Sequence, residues 1–302
     1  MKNAILYYYN IKPDNIRKKG NSYNFENNGN TYILEESKRS KEEIVELYNL
    51  SYYLYVNNIY MHQMLLNNNN EIITRIDNKD YILMLKYNND INKVNLKDIV
   101  FFKLPFNFKY NYIVRNNWRK LWTSKIDNIE SQISEHKHKY KMIQKSIDYF
   151  IGLAENAIQL LLYANKEPDL FISHINISKN SSVNELYNPL NMIIDSRVRL
   201  LCEYIRGAFF DDDMCEEEII NIINSYNLNR NEKILFFSRI LFPTFYFDIY
   251  EKIILEDKEE ENIEICIKNI DKNNKLISLI YNEFSRLKII PEIEWIKKMQ
   301  EN

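Results

Sequence analysis

Five polar side chains sit close together in one stretch of this 302-residue chain. His174, Asn176, Asn180 and Ser181 lie in His174-Ile175-Asn176-Ile177-Ser178-Lys179-Asn180-Ser181, and Asp195 ends the apolar run Asn191-Met192-Ile193-Ile194-Asp195. Side chains of these types could take part in phosphoryl transfer. That reaction needs an Asp to orient the acceptor hydroxyl, an Asn and a second Asp to hold magnesium, and a Lys to fix the phosphates. Asn176 and Asn180 are amides, which cannot accept a proton at neutral pH. Loss of a positioned general base costs ~10²–10⁴ in rate. Asp195 has two readings. It is a ligand for a metal or nucleotide, together with Asn180 or Asn184, or it braces its loop through backbone N–H groups.

The elements that must position these groups follow from periodicity. Tyr23–Phe25 and Thr31–Leu34 are β-rich runs joined by Asn27-Asn28-Gly29-Asn30, a hairpin signal because Asn and Gly tolerate positive φ. Lys41–Val56 carries a helical stripe, and Met61–Leu66, Glu71–Ile76 and Tyr81–Tyr87 read as three short strands. The pattern predicts a five-stranded antiparallel sheet with one helix packed on it, over residues 1–88. Residues 89–117 form a connecting segment. From 118 to 302 helices dominate, led by 142–164 with apolar residues at helical spacing. An irregular segment, 170–195, interrupts them and holds the five polar residues. A small antiparallel β lobe followed by a larger helical lobe with one inserted loop is an α+β layout of the protein-kinase-like kind.

Composition sets the outer bounds. The chain is 45% hydrophobic with 40 basic and 42 acidic side chains, so no global field steers it onto nucleic acid or an anionic membrane. Abundant Asn, Ile, Lys and Tyr fit an AT-rich genome. Its 4 glycines, Gly20, Gly29, Gly152 and Gly207, are scattered, which excludes a Walker loop, a dinucleotide fingerprint or a Gly-rich phosphate loop. Gly152, inside a buried helix, is expected to permit close approach of a neighbouring element. Cys202, Cys215 and Cys266 form no CxxC pair, as expected of thiols in a reducing compartment. No signal-length apolar run opens the chain, and no stretch nears the ~20 apolar residues of a membrane span. The acidic residues 211–213 and 216–218 lack EF-hand spacing and suit a solvated helix start.

In aminoglycoside and choline kinases the loop reads His-x-Asp-x-x-x-x-Asn, followed by an apolar strand ending in Ile-Asp. His174 falls on that His, Asn176 on the Asp and Ser181 on the Asn, with Asn180 one residue away, and Asp195 matches the metal-binding Asp. On the strand before the β-lobe helix, Glu35 occupies the place of the phosphate-binding Lys, where a carboxylate would repel a nucleotide.

Longer segments carry a closer resemblance. Asp148-Tyr149-Phe150-Ile151-Gly152-Leu153-Ala154-Glu155-Asn156-Ala157-Ile158-Gln159 and Leu186-Tyr187-Asn188-Pro189-Leu190, running on through Asp195 to Glu203-Tyr204-Ile205-Arg206, resemble the spore coat protein YutH family, relatives of the CotS coat proteins. Arg239–Phe247 and Ile290–Trp295 fit the same family in order. The resemblance implies an aminoglycoside-phosphotransferase-like fold, synthesis in the mother-cell cytoplasm of a spore former, deposition in the spore coat, and other coat proteins as partners. One departure is Arg199-Leu200-Leu201-Cys202, where the family pattern leads one to expect Arg-Asp-Leu-Ala. The expectation is a structural or assembly component of the coat with a degenerate kinase fold. Two other readings are an atypical small-molecule or protein kinase of sporulation, using ATP and magnesium, and a nucleotide-sensing pseudokinase.

Overall fold

The computed structural model describes residues 1–87, 92–101, 110–135, 139–164, 169–175, 177–256 and 258–300. Asn176 and residues 89–91 and 102–109 of the connecting segment lie outside them. In chain order the elements begin with α1 (Lys2–Tyr9), β1 (Asp14–Lys19), β2 (Ser22–Asn27), β3 (Asn30–Glu36), α2 (Lys41–Val56), β4 (Gln63–Leu65), β5 (Thr74–Ile76), β6 (Lys79–Leu85) and α3 (Leu96–Phe101). Then come α4 (Trp118–Glu135), α5 (Lys141–Leu160), β7 (Leu170–His174), α6 (Val183–Leu186), β8 (Met192–Ser196), α7 (Val198–Phe210), α8 (Glu216–Ser225) and α9 (Arg230–Leu241). The chain closes with α10 (Thr244–Glu256), α11 (Glu264–Lys268), α12 (Ile270–Arg286) and α13 (Glu294–Gln300).

These elements form two compact units: Met1–Arg115 with Phe171–Asp195, and Asn116–Leu170 with Ser196–Asn302. Residues 171–195 therefore group with the β-rich unit, whereas the sequence reading attached segment 170–195 to the helices.

The first unit is built on a six-stranded antiparallel sheet, ordered β1-β2-β3-β6-β4 with β5 also on β6. The sequence reading counted five strands. It missed β1, an almost fully exposed edge strand of sequence Asp-Asn-Ile-Arg-Lys-Lys with no alternating apolar face to betray it. The expected β2–β3 hairpin is present, closed by Asn28 and Gly29 at φ 49° and 78° between the paired residues Asn27 and Asn30. α1, also missed, drops Ile5 and Tyr9 onto one sheet face, in a cluster with Phe25, Tyr32, Leu34, Ile76, Tyr81 and Leu83. By strand alternation Ile82 and Met84 point to the opposite face. α2 starts at a capping box, in which Glu43 N–H donates to Ser40 Oγ and Ser40 N–H to Glu43 Oε2. It buries Ile44, Leu47, Leu50 and Leu54 along one stripe.

The second unit is helical. α9 is buried from Ile234 to Leu241, and α5 contributes the stripe Ile143, Ile147, Phe150, Ala154 and Ala157. Glu203 on α7 takes two hydrogen bonds from the buried Arg239, at 2.9 and 2.8 Å. Arg206 Nη2 donates to the carbonyls of Arg239 and Ile240 at 2.7 and 2.9 Å, closing the end of α9. The Arg239 guanidinium also lies over the Trp118 ring, 5.5 Å from its centroid. Gly152 is a correction: a Cβ there would meet nothing within 4 Å, so no close neighbour demands a glycine.

Candidate functional site

The polar residues read from the sequence gather in the first unit, around residues 171–195. β7 and β8 pair as a two-stranded sheet, and Ile175 N–H donates to Asn191 O at 2.8 Å where the loop closes. On its other side β8 meets residues 113–115, with Ile194 N–H donating to Ile113 O and Arg115 N–H to Ile194 O. This places Asp195, fully buried, at the end of an entirely buried strand. His174 is also buried, with Nε2 2.9 Å from Leu186 O, and burial pushes its imidazole down to about 4. The ring is therefore neutral at ordinary pH.

The loop between the strands is held by residues 92–94. Lys93 bridges to Ser182, Val94 N–H donates to Ser181 O, and Val183 N–H donates to Asn92 O. Lys93 Nζ donates to Asn180 Oδ1 at 2.9 Å. Ser181 Oγ accepts from Ser178 N–H at 3.2 Å, so its hydroxyl serves the turn.

Glu35 has a firm place as well. It sits on β3 between Ser22 of β2 and Ile82 of β6, and its Oε2 accepts from Asn188 Nδ2 at 2.8 Å. The other side of the Asn188 amide accepts from Leu190 N–H at 2.9 Å and starts the short turn Pro189–Asn191. Burial raises the Glu35 carboxyl above its ordinary value, the Asn188 bond lowers it in part, and the nearby Glu185 charge raises it further. Beside it, Arg39 donates to Leu190 O from Nε and Nη2, at 3.1 and 2.8 Å, and to Met192 O at 2.8 Å. Arg39 also pairs with Glu43, which in turn holds Arg115. Glu46, one turn along α2, accepts from the N–H groups of Asn111, Tyr112 and Ile113. The carboxylates of α2 thus fasten backbone and arginines.

Sequence reasoning missed Asn188, Arg39 and Lys93. Asn188, ahead of Pro189, had a readable signal as a turn cap. The arginine and lysine had none, because their partners are backbone carbonyls and an amide far away in sequence.

These residues do not fit a magnesium nucleotide. Glu35, expected from the sequence at the place of a phosphate-binding Lys, is a carboxylate engaged by Asn188, and Asn180 Oδ1 already accepts from Lys93. Among the described residues no group of three or more His, Cys, Asp or Glu is placed to hold a metal ion. Also among them, no helix is long and apolar enough to cross a membrane.

An antiparallel β unit bearing this loop and a helical unit with the elements above define the phosphotransferase class of kinase-like folds. A crystal structure of an aminoglycoside phosphotransferase from Alicyclobacillus acidocaldarius matches with a TM-score of 0.66 at 9% identity, covering 95% of this chain and 97% of that one. The amicoumacin kinase hAmiN, in complex with AMP-PNP, Ca²⁺ and Ami, matches at 0.60 with 12% identity, covering 91% of this chain and 92% of that one. Within that class the chain belongs to the family described as "Spore coat putative kinase YutH", which matches residues 2–277. The endospore coat-associated protein YutH of Bacillus subtilis (strain 168) is 23% identical over 336 aligned positions, covering 99% of this chain and 98% of that protein.

Proposed function

We propose that this chain is a structural or assembly component of the bacterial spore coat, made in the mother-cell cytoplasm, that keeps a phosphotransferase fold without phosphoryl transfer. One observation carries the reading: the half-buried Glu35 carboxylate is bonded to Asn188, and we take Glu35 to stand where the fold's enzymes place a phosphate-binding Lys. Like charge there opposes a nucleotide, and Asn188 fixes it in place. The name of the Bacillus subtilis relative supports the coat assignment, and other coat proteins are the natural partners. The buried Asp195 favours a second reading, an atypical kinase or a nucleotide sensor that retains one metal ligand.

A thermal-shift titration with ATP, with and without magnesium, separates the two. Ligand at about 100 times its dissociation constant stabilises a native state by ~2.7 kcal/mol. The scaffold reading expects a flat response at millimolar nucleotide. A magnesium-dependent rise that Asp195→Ala abolishes would replace it with the kinase or sensor reading.

A further inference from the structure

Four tyrosines of the first unit touch in series. Tyr55 meets Tyr60 edge-on with centroids 6.1 Å apart, and Tyr60 stacks on Tyr87 at 5.4 Å with planes 9° from parallel. Tyr87 then meets Tyr187 edge-on at 5.4 Å. Tyr60 and Tyr87 are 45% and 47% exposed, so both rings of the stacked pair face solvent.

The fold holds this pair through backbone. Gln63 of β4 pairs with Leu85 of β6, and continuing that antiparallel register brings residue 61 opposite residue 87. His62 Nδ1 accepts from Tyr87 N–H at 3.2 Å, and His62 N–H donates to Tyr187 O at 2.9 Å. The imidazole can act as that acceptor because burial pushes it down to about 4 and keeps it neutral. The His62 bonds thus hold the backbone of Tyr87 and Tyr187 beside the residue that follows Met61. Other tyrosine pairs are arranged differently: Tyr7 and Tyr8 meet at 87°, and Tyr23 meets the buried Tyr81 at 53°.

We propose that Tyr60 and Tyr87 form an oxidative modification site, at which a one-electron oxidant of the haem-peroxidase class joins the two rings into an intrachain dityrosine. Each phenol gives up one electron and its O–H proton, leaving two phenoxyl radicals. The radicals combine through a new C–C bond between the ring carbons ortho to oxygen. Each of those carbons then loses its hydrogen as a proton and each oxygen regains one, which restores both phenols. In sum two ring C–H bonds are replaced by one C–C bond, and hydrogen peroxide takes two electrons and two protons to become two waters. Stacking keeps the partner radicals in contact, and exposure lets the rings swing edge to edge as the bond forms. The link would fasten the segment after α2 to the end of β6, and cross-links of this kind stabilise by restricting the unfolded chain.

The test treats the full chain with hydrogen peroxide and a haem peroxidase, then maps linked peptides by mass and reads dityrosine fluorescence. The expected product is a monomer lighter by two hydrogens, with linked peptides containing Tyr60 and Tyr87 in the majority and a raised melting temperature. Tyr87→Phe and Tyr60→Phe should each lose most of the fluorescence while melting like the parent, and unfolding in urea before oxidation should abolish the preference for this pair. Absence of dityrosine, a majority of links at other tyrosines, chain-to-chain products in place of the intrachain one, or undiminished fluorescence in Tyr87→Phe would each overturn the proposal.

Discussion

Asn188 donates to Glu35 at 2.8 Å across 153 positions of sequence, and the same amide caps the turn that leads into β8. One side chain thus couples the sheet to the strand that ends in Asp195. A carboxylate held this way is costly, because its charge is taken out of water and faces Glu185.

Replacing Glu35 by Gln should therefore stabilise the protein at neutral pH. The amide keeps an acceptor for Asn188 and drops the half-buried charge. Since the folded-state value is raised above the ordinary 4.5, the carboxyl favours folding when protonated, and that contribution is lost as pH rises through the raised value. Melting curves against pH should show Glu35→Gln above the parent at pH 7, with the gap closing below about 4.5. A gap that persists unchanged in acid would contradict this account.

Arg39 is the second fastening of the same segment. Arg39→Ala removes three hydrogen bonds to buried carbonyls and should cost about 2–3 kcal/mol, by the usual range for bonds to charged groups. Arg39→Lys should recover little, because a point-like ammonium cannot span two carbonyls with a planar fork. Denaturant melts give the cost, and hydrogen exchange should show faster exchange at residues 190–193.

In acid the two units should fail in order. His62 and His174 are both pushed down to about 4 by burial, from an ordinary 6.5. Their contribution is present above pH 6.5 and is lost as pH falls through about 4. In the second unit the charges of Arg239, Arg206 and Arg199 overcome burial and hold Glu203 at about 2, so its contribution is lost only between about 4.5 and 2. Hydrogen exchange followed from pH 7 to 3, in Glu35→Gln to remove the opposing carboxyl, should show the β unit opening first. Glu203→Gln leaves two arginines short of their counter-ion. Because Glu203 keeps 22% of its surface, the loss belongs at the low end of the buried range, about 3 kcal/mol.

Gly152→Ala should raise stability by ~1 kcal/mol, the helix-interior difference between the two residues. The added methyl meets nothing, so no packing penalty offsets the gain. A fall in melting temperature would mean that the glycine serves a contact formed only with a partner.

The sequence by itself determined the order from β2 to β6, α2 to the residue, the β2–β3 hairpin and the gathering of polar residues between 174 and 195. These are local properties, set by side-chain periodicity, by the positive φ that Asn28 and Gly29 accept, and by an apolar run ending in Asp195. It also raised the expectation that an amide, a hydroxyl and a carboxylate stand where phosphoryl transfer needs other groups. What only the tertiary structure decided is what those residues do instead. Glu35 finds Asn188, Arg39 finds the carbonyls of Leu190 and Met192, and Lys93 finds Asn180, each across 87 residues or more. No periodicity encodes such pairs, because a donor and an acceptor far apart in sequence meet only after the sheet and loop are packed. The edge strand β1 stayed hidden for a related reason: exposed on nearly every residue, it is held by backbone pairing to β2, and backbone pairing leaves no mark on side-chain pattern.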